Sequence, residues 1–194
     1  MAWSNVSIFA GTGSAIGTGE TNSATIIAQA GHISSSAQEC LDYSVHIGGV
    51  ITDGAYCWQN NDISNKNPYG ALYNWYAMDH ASELAPTGCH LPTKAEYDTL
   101  RAFLATVIGG KMKEAGCGVH WACPNTGATN SSKFTAISGG SRSGGDGLFK
   151  GFGSITYFWT TDKYMEALSY LDDGLGEFGP GSENYGVSVR CIVD

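Results

Sequence analysis

One stretch carries a clear helical rhythm. In residues 91–108, Tyr97, Leu100, Leu104 and Val107 form a single apolar stripe among polar neighbours. Thr93 stands before the stripe with Glu96 three positions on, the spacing of a capping box. Pro92 falls just outside the start, and Gly109-Gly110 is expected to end the helix. Residues 34–43 repeat Ala37, Cys40 and Leu41 at helical spacing behind a run of serines that can cap them. Residues 21–31 have an apolar middle that suits either a helix or a buried segment. Period-two or short apolar runs predict strands over 3–9, on either side of Gly48-Gly49 within 43–51, and over 55–58. From residue 116 onward, FTAI, LFKGF, ITYFWTT, ALSYL and GVSVRCIV stand between glycine-rich breaks. Short strands joined by turns are expected there, in an irregular, mostly antiparallel arrangement with long loops. The aromatic cluster Tyr69, Tyr73, Trp75 and Tyr76 reads as core.

Composition narrows the classes. With 194 residues the chain fits one domain, and 42% hydrophobic residues supply a sizeable core. Only 14% of residues are charged, which excludes a disordered chain of high charge. No apolar run approaches the length of a membrane span. The formal charge of −8 disfavours nucleic acid, whose phosphates need clustered Lys and Arg. Residues 162–186 carry six acids against Lys163 alone, which reads as a solvated acidic face, or else as a surface that draws a cationic ligand or basic partner. The first fifteen residues show no basic region followed by an apolar stretch, so no signal peptide is expected.

Candidate chemistry is sparse. Cys117, His120 and Cys123 lack the spacing of a structural zinc site, and a short disulfide loop or buried thiols is the simpler reading. Asp146 and the pair Asp172-Asp173 could contribute to a calcium site, although no EF-hand pattern supports them. The glycines of residues 11–19 nearly match a dinucleotide fingerprint but lie in no βαβ unit. There is no nucleophile elbow, and no phosphate-binding lysine follows the glycine-rich segment 138–147. His90 and His120 read as structural groups. The expectation is a protein that is not an enzyme. Residues 162–185 instead mix Tyr, Phe, Asp, Glu, Ser, Asn and Gly, a paratope-like vocabulary of rigid aromatic anchors and small adaptable polar groups. Apolar FWTT and GVSVRCIV flank it, as strands flank a mounted binding loop.

Seven motifs occur in order: DGAYCWQNNDI, YGALYNWYA, LAPTGCHLPTKAEYDTL, FTAISGGSR, DGLF, FWTT and GVSVRC. Together they resemble the Fibrobacter succinogenes major paralogous domain family over residues 48–194. That family is similar to the C-type-lectin-like and formylglycine-generating-enzyme-like folds. The resemblance implies an α+β, C-type-lectin-like domain of short antiparallel strands, two or more helices and much irregular loop. The expected organisation is a single domain over 1–194, with an N-terminal elaboration over 1–47 and a core over 48–194. The sugar-binding tripeptides of calcium-dependent lectins, Glu-Pro-Asn or Gln-Pro-Asp, are absent. The second late cysteine of the formylglycine-generating enzymes is absent too, with Cys191 alone in the last seventy residues. Neither sugar binding through calcium nor oxidase chemistry is therefore expected, and no cofactor is implied beyond an optional calcium ion.

The fold also resembles the variable proteins of prokaryotic diversity-generating retroelements, which carry hypervariable residues in a C-terminal segment of a lectin-like scaffold. Residues 157–185 occupy the corresponding place. The resemblance implies a ligand-binding or display protein whose contacts come from Tyr157, Asp162, Lys163, Tyr164, Glu166, Ser169 and Tyr170. Further contacts are expected from Asp172, Asp173, Glu177, Phe178, Glu183, Asn184 and Tyr185. A protein or cell-surface ligand is the implied partner, and a fixed-specificity adhesion module is the alternative. An extracellular or cell-surface location is compatible with the resemblance, although the sequence does not fix the compartment. The family pattern has Trp where this chain has Cys89. The resemblance implies a bond between Cys89 and Cys191, with Cys40–Cys57 as a further pairing to test.

Overall fold

The capping box forms as its spacing demands. In a computed structural model that describes residues 54–79 and 84–194, the Thr93 hydroxyl accepts from the Glu96 backbone N–H. The Glu96 carboxylate accepts in return from the Thr93 backbone N–H at 2.8 Å. The elements expected over 3–9, 21–31, 34–43 and 43–51, and Cys40 with them, lie outside the described residues. The chain from Tyr56 to Asp194 forms one compact unit.

In chain order, β1 (Tyr56–Trp58) leads through two tight turns and α1 (Lys66–Tyr69) to β2 (Ala71–Tyr73), which pairs with it antiparallel. There follow α2 (Trp75–Asp79), β3 (Cys89–His90), α3 (Lys94–Leu104) and α4 (Ile108–Met112). A long irregular stretch then reaches the β4 (Ser141–Arg142) and β5 (Phe149–Lys150) hairpin. The largest sheet is antiparallel, in the order β6 (Ile155–Trp159), β7 (Met165–Ser169), β8 (Gly176–Phe178). The last strand, β9 (Ile192–Val193), returns to pair with β3. Residues 186–188 join the separate sheets: Val187 bridges Tyr73, Gly186 bridges Arg142 and Ser188 bridges Phe158. The architecture is thus mixed α and β, with short antiparallel strands and few helices. FTAI departs from expectation, since only Ala136 within it makes a bridge.

The helix ends earlier than its apolar stripe predicts. α3 stops at Leu104, Ala105 and Val107 turn to positive φ, and Val107 is exposed instead of facing the core. Gly109 and Gly110 do not end a helix but lie inside α4. Their role is close approach. A Cβ on Gly109 would stand 1.8 Å from the Gly174 carbonyl oxygen, and one on Gly110 2.3 Å from that of Gly127. Only glycine lets α4 pack backbone to backbone there.

Alternation along β6 and β7 builds a core on each face of the sheet. Phe158 and Leu168 pack against Tyr97, Leu104, Met112 and Trp121 from α3, α4 and the irregular stretch. Trp159 faces the other way, into a second cluster with Met78, Leu91 and Val187. Both buried indoles are satisfied: Trp121 Nε1 donates to Ala136 and Trp159 Nε1 to Tyr73, each at 2.8 Å. Among the described residues no helix is long and apolar enough to cross a membrane.

Candidate functional site

The β6–β7–β8 sheet positions the segment that the sequence singles out. Cross-strand register puts Tyr157, Ala167 and Gly176 in one row and Trp159, Met165 and Phe178 in the next, all on the face away from α3. The buried floor is Trp159, while half-buried Met165, Tyr157, Tyr185 and Trp75 pack around it. Phe178, 51% exposed, meets Tyr157 edge to face at a ring separation of 6.0 Å. Gly181 crosses directly above Trp159, where an added Cβ would come within 3.1 Å of the indole. The result is an aromatic surface on a buried tryptophan, fed by β6, β8, α2 and the 179–185 loop.

Lys163 pins one side of this surface. Its ammonium lies 4.1 Å from the Trp75 ring centroid and 2.8 Å from Glu183 Oε1. The hydrogen bond from Lys163 lowers the Glu183 carboxyl below its usual range. Two backbone bonds close the same corner, Gly181 N–H to the Lys163 carbonyl and Trp75 N–H to that of Glu183. Burial, with a contribution from Tyr185, raises the Tyr157 hydroxyl, so Tyr157 presents a neutral phenol at physiological pH.

Around the sheet edge, toward α3, lies a second group of the expected residues. Lys94 sits 5.5 Å from the Tyr164 ring centroid and 2.9 Å from both Glu177 and Asp98. Asp162 accepts the Lys94 backbone N–H at 2.7 Å, at the first turn of α3. Glu166 is wholly buried and paired with Arg101, and burial pushes its carboxyl up to about 7 despite that cation. These contacts revise the expected acidic attraction. Glu166, Glu177 and Glu183 each face a cation, and Asp162 holds a helix N–H, so little of this acid is free charge for a basic partner.

Other expected contact residues hold the fold. Ser169 Oγ accepts from the Leu171 N–H, and Asp172 Oδ1 from the Gly174 N–H. Tyr170 packs on the α3-side core, and the Asp173 carbonyl accepts from the Gly110 N–H. Asn184 lies against Gly144, where a Cβ would find it 2.7 Å away. Of the fourteen side chains expected at the site, the tertiary structure gathers Tyr157, Lys163, Phe178, Glu183 and Tyr185 on the surface away from α3. Glu166, buried against Arg101, is corrected from a contact residue to an interior one. Trp75, expected only as core, joins the surface. Its partner Lys163 is 88 positions away, so no local pattern could reveal it.

The candidate metal positions are already engaged. The Lys113 ammonium donates to the carbonyls of Thr126, Ser169 and Asp172, filling with its own charge the place that a cation beside Asp172 would take. Asp146 accepts from the Leu148 N–H and pairs with Lys150. His120 bonds Glu114 at 2.8 Å. Among the described residues no group of three or more His, Cys, Asp or Glu could hold a metal ion. Cys117 and Cys123 form a disulfide, so the short-loop reading holds. The Cys89–Cys191 bond does not form, and both are free thiols. Register explains why. Cys89 stands opposite Val193, which leaves Cys191 a diagonal neighbour, farther away than a directly opposite residue. The Cys40–Cys57 pairing depends on Cys40, outside the described residues. His90 bridges Asp194 and Glu96 at 2.6 and 2.7 Å, a structural tie between β3, α3 and the chain end.

The family model described as the Fibrobacter succinogenes major domain (Fib_succ_major) matches residues 22–193. No curated protein and no solved structure matches the chain.

Proposed function

This chain belongs to the Fibrobacter succinogenes major domain family, and on that premise we propose that it is a ligand-binding protein that presents the β6–β8 surface on a C-type-lectin-like scaffold. The observation that carries the reading is the aromatic surface itself. Tyr157, Phe178, Tyr185 and Trp75 stand part-exposed over a buried Trp159, with Lys163 and Glu183 held beside them. Rigid aromatic side chains lose little entropy on binding, and a fixed ion pair adds polar selectivity at the rim. The role is binding without turnover, and the partner is a protein or cell-surface ligand.

The proposed ligand surface belongs to a retroelement-diversified protein if substitutions concentrate on outward positions. Tyr157, Lys163, Tyr164, Phe178, Glu183 and Tyr185 would then vary, while Glu166, Gly179 and Gly181 would stay constant. Added side chains at Gly179 and Gly181 would meet the Tyr164 ring at 2.6 Å and Met165 at 2.9 Å. One observation favours the second reading, a fixed-specificity adhesion module. The ion pairs of Glu166 and Glu177 share Arg101, and random replacement at either position would disturb both. Sequencing this locus across many copies in its source population, with substitutions counted per position, tests both. Clustering on the six outward positions supports diversification. An even spread over all loops removes it and leaves the fixed module.

A further inference from the structure

Away from the aromatic surface, a cavity of about 400 Å³ opens beside α3 and β9. Its size falls within the range of small-molecule sites. Pro92, Leu100, Phe134 and Ile192 make apolar walls. Lys133 and Arg190 also line it, and neither has a carboxylate within ion-pair distance among the described residues. That is unexpected in a chain with 18 acids and 10 bases. The carboxylate in the wall, Glu96, is committed elsewhere: it accepts from the Thr93 N–H and hydroxyl and pairs with His90.

Arg190 is held in place without being neutralised. Its guanidinium lies 4.6 Å from the Phe134 ring centroid, and Nη2 donates to the carbonyls of Phe134 and Thr135. Its remaining N–H groups have no acceptor among the described residues. Tyr97, also in the wall, is 3% exposed, and its hydroxyl finds no partner among the described residues. A positioned guanidinium, a second cation and an aromatic wall together define a complementary ligand. It has one anionic head and an apolar, flat body.

We propose that this cavity binds a small organic carboxylate with an aromatic or compact apolar body. The carboxylate is received by Arg190 and Lys133, and the body lies against Phe134, Leu100 and Ile192. This site is separate from the aromatic surface and does not depend on the function proposed for it.

Cys191 supplies a local reporter. It is a free, exposed thiol in the cavity wall, and Cys89 on the neighbouring strand is a free thiol outside the lining. The test uses 4-phenylbutyrate as probe and uncharged 4-phenylbutanol as its control. Calorimetry measures affinity, and mass spectrometry follows iodoacetamide labelling of each thiol. The acid is expected to bind about tenfold or more tighter than the alcohol, and to slow Cys191 labelling several-fold relative to Cys89. Lys133→Gln and Arg190→Gln should each weaken the acid several-fold while leaving the alcohol unchanged. Leu100→Trp should abolish binding of both. Because Arg190 also ties down residues 134–135, Lys133→Gln carries the charge test if Arg190→Gln melts early. Equal affinity for acid and alcohol overturns the proposal. So does an unchanged labelling rate at Cys191, or no binding of the acid at millimolar concentration.

Discussion

Lys113 is wholly buried, and its ammonium donates at 2.9, 2.8 and 2.7 Å to the carbonyls of Thr126, Ser169 and Asp172. Burial lowers its affinity for a proton, while nearby Asp172 and Asp173 oppose that shift. A side chain usually found in solvent thus ties the loop at Thr126 to the end of β7 and the turn that follows it. Glu166 is the reverse case, an interior acid whose burial outweighs its Arg101 partner and raises it to about 7. Its unfolded value is near 4.5, so between those two values the folded state holds more protons than the unfolded one. The Glu166 contribution therefore weakens stability as pH rises through that window, and relieves it as pH falls. Relative to Glu166→Gln, the wild-type protein should lose on the order of 2 kcal/mol between pH 4.5 and 7.5. Urea melts across that range check it. Parallel pH profiles for the two proteins would show that Glu166 does not titrate as described.

At the scale of elements, α3 and α4 show two different uses of one apolar pattern. α3 follows local chemistry: a capping box, an acidic first turn at Glu96 and Arg101 in the last turn. α4 follows tertiary contact, since Gly109 has no room for a Cβ beside the Gly174 carbonyl. Gly109→Ala gains helix propensity, about 1 kcal/mol in an open helix. Here the 1.8 Å approach must reverse that sign, because the neighbour is backbone and cannot rotate aside. A net loss of at least about 2 kcal/mol is expected in thermal or urea unfolding. Gly145→Ala is the control, because nothing lies within 4 Å of a Cβ there. It should change stability by less than about 1 kcal/mol.

For the whole molecule, short strands alone supply little cooperative order. The unit from Tyr56 to Asp194 coheres through its two cores, the bridging residues 186–188 and the pinned irregular stretch. The Cys117–Cys123 bond lies in that stretch with a sequence separation of 6. The Asn125 side chain ties the same loop to the carbonyls of Glu114 and Gly116. A loop this short restricts the unfolded chain only modestly, so reduction should cost about 2 kcal/mol and leave the fold intact. Near-ultraviolet circular dichroism and urea melts with and without reductant check this. Complete unfolding on reduction would mean that the loop is central to the fold.

Sequence alone determined the features that rest on neighbours in the chain. The capping box at Thr93 and Glu96 and the strands expected within ITYFWTT and ALSYL are local in spacing and chemistry, whereas between the two readings of Cys117 and Cys123 the structure chose the disulfide. The ordered motifs also indicated the family whose model matches residues 22–193. Tertiary structure decided whatever depended on remote approach. It ended α3 at Leu104, put Gly109 and Gly110 inside α4, and left Cys89 and Cys191 diagonal and unbonded. It also divided the 157–185 segment between an outward aromatic surface and an interior set led by Glu166. The physical reason is period and distance. Alternation shows that neighbouring side chains face opposite ways, but not which face meets solvent, and the partners Arg101, Trp75 and Lys94 come from far along the chain.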